Sequence, residues 1–418
     1  MRLQRKYALL KYYERNQQKS QTKFMKTGYS IRTWRMRLVC PEPIWLARTE
    51  EYFQNVVEFY YHLLRQHEEL WNSSLFDIQR SLELLTLTGR DGRQPTNPLP
   101  MGKVPVYLRR AAINKASATV KSTQELQSGF PEKLEAKVTF FKGMYSDLTD
   151  RSICLKLWNG EKWIWTDCNL KGRPFPQDGQ LMSPTLVKEG RRYLLNIPVK
   201  QENSDARTAK ERMAEGTNLC SVRFTNTDTF AVCCILDEQG KQLAVHTCRG
   251  GDAYRHRCKL LETRIQKSRP NTVGDNSPQP NRKYYMHLKN LSEHYAHQVS
   301  REILNFCKEN QAGIIVLPDY DQNFTRMAMV KSGNFSPLHL SSKIRTNLQY
   351  KAWAEGILVL ETRTDGLKDK CAICGGRVRR KGNEFLCENG HQGNRFLNDA
   401  RNLGRKCQDS FFRRSRTR

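Results

Sequence analysis

Near its carboxyl end the chain reads CAICGGRVRRKGNEFLCENGH: two residues separate Cys371 from Cys374, twelve separate Cys374 from Cys387, and three separate Cys387 from His391. Three thiolates and one imidazole at such spacings satisfy a tetrahedral zinc ion, and the intervening GGRVRRKGNEFL is short enough to form a hairpin joining two knuckles. The segment can therefore be held by an ion instead of a hydrophobic core of its own. A closed set of four ligands leaves no open position, so the zinc is expected to be structural and to do no chemistry. The last pair is CxxxH rather than a second CxxC.

The sequence before this knuckle sets the fold. LCSVRFT, FAVCCILD and QLAVHTC read as three strands with short turns, Glu238-Gln239-Gly240 forming the second. A basic helix from Tyr254 to Lys267 follows, then the polar loop SRPNTVGDNSPQPNRK. A long helix aligns Leu288, Leu291, Tyr295, Val299, Ile303 and Cys307 on one stripe, and strand GIIVL leads to a helix from Ser336 that aligns Leu340, Ile344, Leu348 and Ala352. ILVLETR is the fifth strand. Three antiparallel strands followed by alternating helix and strand is the order of the ribonuclease H fold, whose strand ends hold the site.

The amino-terminal half is different in texture. After a basic arm (1–28), YSIRTWRMRL sets Trp34, Met36 and Leu38 against Thr33, Arg35 and Arg37 with the period of two of a half-buried strand. A proline-opened helix and VPVYLRRAAINKASATVKS, which stacks Leu108, Ala112, Ala116 and Val120, make a helical insert over about 42–125. Strands with hairpin turns at Asn159-Gly160 and Glu189-Gly190 then form a small antiparallel barrel or sandwich with the first strand, completing 29–200, and Trp158, Trp163 and Trp165 serve as its core and rim. A polar linker (201–216) leads to the α/β domain (217–366 and 393–408), which the knuckle (367–392) interrupts, and a basic tail (409–418) ends the chain.

The fold class predicted is α/β plus β in two lobes. Lysine and arginine total 70 against 42 acids, a formal charge of +28, and the basic residues are spread along the chain. A charge of this size points to a polyanion whose phosphates offset it. Arg35, Arg37, Arg109, Arg110, Lys115, Lys121, Arg255 and Arg257 are the candidate phosphate contacts. No apolar run reaches membrane length, the basic opening lacks the apolar core of a secretory signal, and thirteen cysteines include the neighbours Cys233 and Cys234. The expectation is a reducing, cytoplasmic location, associated with the nucleoid through DNA.

A ribonuclease H-like order interrupted by a zinc ribbon and followed by NRFLNDARNLGRK resembles the transposon-encoded TnpB nucleases and their descendants, the compact type V CRISPR effectors with a RuvC nuclease domain. Their ribbon ends in a helix of the form DRDxNAAxNI, which Arg395, Asn398, Ala400, Asn402 and Leu403 match. The resemblance implies a wedge barrel with a helical recognition insert, a RuvC domain, a guide RNA, and a double-stranded DNA target read through base pairing next to a short duplex motif. It also implies three acids holding two magnesium ions: an aspartate in the first strand, a glutamate ending the fourth, and an aspartate opening the last helix. Here the first falls on Val222, Arg223 or Phe224, with Phe224 the chosen register; the second falls on Pro318 and the third on Phe396.

With no acid at these positions, catalytic magnesium is not expected. The leading expectation is a guided DNA-binding protein that has lost its nuclease and acts by occupying a promoter or tethering a partner. An alternative is a guided endonuclease whose carboxylates have moved to Asp228, Asp319 and Asp399. A third is a guided recruiter of a transposase or sigma factor. A homodimer on one guide is compatible with the resemblance.

Overall fold

The computed structural model describes residues 28–413 apart from 90, 127, 177, 206, 269–280 and 321–334. The basic arm before residue 28, most of the polar loop preceding the long helix and the end of the basic tail lie outside the described residues. The chain divides into two compact units, Ile31–Gln201 and Met1–Ser30 with Glu202–Arg418.

The first unit is built on a seven-stranded sheet: β1 (Tyr29–Val39), β2 (Tyr145–Ser146), β3 (Ser152–Trp158), β4 (Trp163–Lys171), β5 (Gln180–Leu181), β6 (Thr185–Glu189) and β7 (Arg192–Glu202). The order is β2-β3-β4-β1-β7-β5, with β6 also on β7, and no pairing among the described residues joins β2 to β5, so the sheet curls as a half-barrel. Its alternation is as the sequence demands: Met36 and Leu38 are buried while Arg35 and Arg37 are exposed. At the β3–β4 turn the Asn159 side chain accepts hydrogen bonds from the amides of Glu161 and Lys162, both at 2.8 Å. Gly160 there takes a φ of +112°, which other residues avoid. Trp158 and Trp163 pack with Tyr52, and Trp165 is exposed beneath Lys156. Helices α1 (Pro43–Gln66), α2 (Leu75–Thr86) and α3 (Val106–Leu126) are inserted after β1. Leu108, Ala112, Ala116 and Val120 are fully buried, the alanines letting α3 lie close to α1.

The second unit opens with α4 (Ala209–Ala214), where the composition predicts a linker. A capping box between Thr208 and Glu211 starts it, and Arg212 is wholly buried. The Arg212 guanidinium donates to the carbonyls of Asp205, Gly313 and Gly356 at 2.6–2.7 Å and lies 3.4 Å from the Asp205 carboxylate. Polar composition concealed this anchor, because two of its partners, the Gly313 and Gly356 carbonyls, lie far away in sequence.

Then come β8 (Asn218–Phe224), β9 (Ala231–Leu236), β10 (Gln242–Cys248), α5 (Gly251–Lys267), α6 (Arg282–Glu309), β11 (Ala312–Asp319), α7 (Ser341–Trp353) and β12 (Leu358–Arg363). The sheet order is β10-β9-β8-β11-β12, with β8, β9 and β10 antiparallel and β11 parallel to both β8 and β12. The knuckle adds β13 (Val378–Lys381), β14 (Glu384–Cys387) and β15 (Gln392–Asn394), a three-stranded sheet rather than a simple hairpin, and α8 (Arg395–Arg413) follows. No helix among the described residues is long and apolar enough to cross a membrane.

Both faces of the central strands are covered, so β9 and β11 are near-continuous apolar runs, while edge strand β10 exposes Leu243 and Val245. Leu219, Leu236, Ile314, Val316 and Leu358 pack with Ala400, Leu403 and Cys407 of α8. Cys220, Val222, Phe224, Ile315 and Leu317 pack with Val299 and Ile303 of α6 and Ile344 and Leu348 of α7. Helix α8 sits tightly: a Cβ on Gly404 would lie 2.5 Å from Leu236 Cδ1 and 3.2 Å from Ser221 Cβ.

Candidate functional site

Strands β8, β11 and β12 end on the same side of the sheet, and alternation decides what each end presents. Ser221 is in register with Val316, and two residues beyond this pair stand Arg223 and Pro318 on the face that carries α8. Phe224 belongs to the opposite face, buried in the α6–α7 core with its ring 6.4 Å from Tyr320. The register placing the first-strand position on Phe224 is thereby corrected: the residue beside Pro318 is Arg223.

Arg223 is held by two residues, Tyr320 and Asp399. Its guanidinium donates to the Tyr320 hydroxyl at 2.8 Å, lies 5.6 Å from the centre of that ring, and places Nε 3.3 Å from Asp399 Oδ2. The Nε contact is an ion pair without hydrogen-bond alignment, since Nε is buried with no aligned partner. Asp399 in turn accepts Arg380 Nη2 at 2.5 Å, so a strand, a helix and the knuckle hairpin meet in an Arg223–Asp399–Arg380 triad. The Asp399 side chain is only 2% exposed. Arg395 opens α8 nearby, its guanidinium 4.6 Å from the Phe396 ring centre. Burial and then Arg380 lower the Arg395 pKa.

The other face is separately occupied. Arg345 of α7 donates to the Pro318 carbonyl at 2.9 Å and lies 3.3 Å from Glu361 Oε1 on β12. Burial raises the Glu361 pKa, Arg345 opposes the rise, and Asp319 adds to it. The β11–β12 register runs unbroken through Pro318 and Asp319, so the bulge that would bring Asp319 onto the Pro318 face is absent. Asp228 serves the turn before α5, where its side chain accepts from the Asp252 amide at 3.1 Å. Phe396 is buried in the first turn of α8, whose start Asn394 caps by accepting from the amides of Phe396 and Leu397. Asp228, Asp319 and Asp399 are therefore not brought together.

Glu361, Arg345, Arg380 and Tyr320 are residues that sequence reasoning missed. One signal was available: Glu361 is an acid inside ILVLETR, in phase with the apolar face.

Cys371, Cys374, Cys387 and His391 offer ligand atoms that all lie within 4.8 Å of one another, a set that could hold one metal ion. The donor set fits zinc on two further counts. The amides of Ile373 and Asn389 point at the sulfurs of Cys371 and Cys387, each at 3.4 Å, as suits thiolates. His391 Nδ1 is buried without a hydrogen-bond partner in the protein. The Asn389 side chain, with the Gly376 backbone, brings the Cys374 thiol down to about 6. The asparagines of the α8 motif tie this knuckle to the helix: Asn398 accepts from the Ala372 amide and donates to the Lys370 carbonyl, and Asn402 donates to the same carbonyl, each at 2.8 Å.

The basic residues divide. Arg37, Lys115 and Arg257 are exposed, and Arg35 is exposed but paired with Glu189. Arg255 pairs with Asp252, Arg110 with Glu83, and Lys121 donates to the Ser73 carbonyl. Arg109 is a correction. Its side chain is buried, 3.1 Å from Glu83, and braces α3 instead of offering a phosphate contact.

Residues 30–159 match the Aq_aa04 family. No curated protein matches the sequence. Among solved structures the chain is similar to the Cas12f1–sgRNA–target DNA complex, with a TM-score of 0.55 and 12% identity over 86% of this chain and 81% of that one. It is also similar to the mini RNA-guided endonuclease CRISPR-Cas_phi3, with a TM-score of 0.50 and 9% identity over 90% of this chain and 92% of that one. The chain shares its fold with these two structures. At these identities the likeness is one of fold.

Proposed function

We propose that this chain is an RNA-guided, sequence-specific DNA-binding protein whose RuvC-like domain grips its target without cutting it. The observation carrying the reading is Arg223, which stands beside Pro318 and reaches Asp399. Magnesium requires oxygen ligands, and two-ion cleavage requires several carboxylates converging on one face. Here Asp399 is already taken up by Arg223 and Arg380, while Asp319 and Glu361 lie on the opposite face with Arg345. A guanidinium at the centre of the site supplies fixed positive charge where a divalent cation would have to enter, and like charges repel.

In this reading the guide RNA supplies base discrimination, and the protein holds the heteroduplex through its backbone and reads a short flanking motif. The charge of +28 and the shared fold with a structure solved with guide RNA and target DNA support it. Bound without cutting, the protein represses a promoter by occupancy or tethers a partner there. Zinc held by Cys371, Cys374, Cys387 and His391 would order the ribbon and thereby keep Arg380 on Asp399.

A second reading rests on Glu361 and Asp319, which share one face at neighbouring strand ends, Glu361 standing opposite Leu317, two residues before Asp319. If Arg345 withdrew, they could hold a divalent ion for cleavage. One experiment separates the readings: purify the protein from its native host, sequence the co-purified RNA, and incubate the complex with a matched duplex and magnesium. A discrete RNA, a shifted duplex and intact DNA are expected. Recovery of no discrete RNA overturns guidance, and cleavage that Glu361→Gln abolishes overturns the non-cutting reading.

A further inference from the structure

A second cluster of metal-binding side chains lies away from the ribbon, at the edge of the five-stranded sheet. His246 and Cys248 are two residues apart on β10, so both side chains project from one face of this edge strand. Glu302 approaches them from α6. One ligand atom from each of the three lies within 4.8 Å of the others, and Glu302 Oε1 is 2.6 Å from His246 Nε2.

We propose that His246, Cys248 and Glu302 form a second zinc site, pinning α6 to the sheet edge and keeping one coordination position open to solvent. Nitrogen, sulfur and carboxylate oxygen are the three donor types zinc accepts, and three protein ligands plus water is its open arrangement. A tetrahedral ion needs donors about 3.3 to 3.8 Å apart, given bonds of about 2.0 to 2.3 Å. The present spacing, 2.6 Å between His246 and Glu302 and no more than 4.8 Å for the other pairs, brackets that range. The cluster also has both a floor and a door. Cys248 is fully buried, whereas the side chains of His246 and Glu302 are 35% and 32% exposed. Phe306, with its ring 5.2 Å from that of His246, walls one side and limits the swing of the imidazole. Binding would displace the Cys248 thiol proton to solvent, leaving thiolate, imidazole and carboxylate around a divalent ion.

The test is metal stoichiometry on the full chain, loaded with zinc chloride, desalted and quantified by elemental analysis. His246→Ala and Glu302→Gln change half-exposed side chains and leave the four ribbon ligands intact. Each is expected to lower bound zinc by one ion per chain relative to the unaltered protein, with the ribbon ion retained. Cobalt loading gives an independent reading: the variants should lose the weaker, single-thiolate charge-transfer band and keep the intense three-thiolate one. Unchanged zinc content and unchanged cobalt spectra in both variants would overturn the site.

Discussion

Replacing Asp399 with alanine distinguishes a carboxylate that neutralises arginines from one that holds magnesium. The Asp399 side chain is 2% exposed, Arg223 is 11% exposed and Arg380 is 23% exposed. Deleting one member of a buried ion pair leaves the remaining charge uncompensated and costs about 3–5 kcal/mol. Arg380 lies on the hairpin and can turn toward water, but Arg223 is enclosed by Tyr320 and β8, so the lower part of that range, about 3 kcal/mol, is expected. Of the seven tryptophans only Trp353 belongs to this unit, so tryptophan emission reports mainly on the other. Hydrogen exchange read by mass spectrometry is the appropriate assay. Amides of β8 and α8 that exchange through opening of this region should do so on the order of 100-fold faster in Asp399→Ala, since each 1.4 kcal/mol is tenfold. Adding Arg223→Met and Arg380→Met should restore much of the protection, because apolar replacement of a buried ionic group is often neutral or better. Magnesium should alter neither protein. A loss below about 1 kcal/mol, or protection by magnesium of the unaltered protein alone, would refute the argument.

Two further outcomes follow from the same structure. Cys374→Ser should raise exchange across 371–394 by about tenfold or more, while the β8–β9–β10 amides stay protected; simultaneous loss of both would show that the ribbon is not a separate ordering unit. Burial, with Arg301 second, pushes Lys351 down from an ordinary 10.5 to about 8, and its ammonium donates to Ser300 at 2.7 Å and to the His297 carbonyl at 3.0 Å. Between pH 8 and 10.5 the folded protein therefore binds fewer protons than the unfolded chain, so this group makes stability rise with pH over that window. Denaturant titration of Lys351→Met should show the rise reduced, and an equal slope in both proteins would contradict the assignment.

Local rules made much of the fold legible. Period-two alternation located β1, glycine turns located the β3–β4 and β6–β7 hairpins, and the stripes through α3, α6 and α7 named residues that are buried. The spacing of three cysteines and a histidine named a cluster whose ligand atoms do converge. What sequence could not give was register between distant strands. Choosing Phe224 over Arg223 is a slip of one residue, and one residue exchanges the faces of a sheet. The Arg345–Glu361 pair and the Arg380–Asp399 pair join separate elements, and no local pattern announces them. Arg109 was misread for a related reason: a cation looks solvated until its partner is known, and its partner is Glu83.

Gly404 gives this arrangement its rigidity. Because the backbone of α8 rests directly on Leu236 and Ser221, with no side chain as a cushion, any larger residue would jack the helix off its bed. Asp399, five positions upstream on the same rod, would be drawn away from Arg223 as the rod lifted. The charge balance at the strand ends is thus set by a hydrogen atom standing where a methyl group would wedge the layers apart.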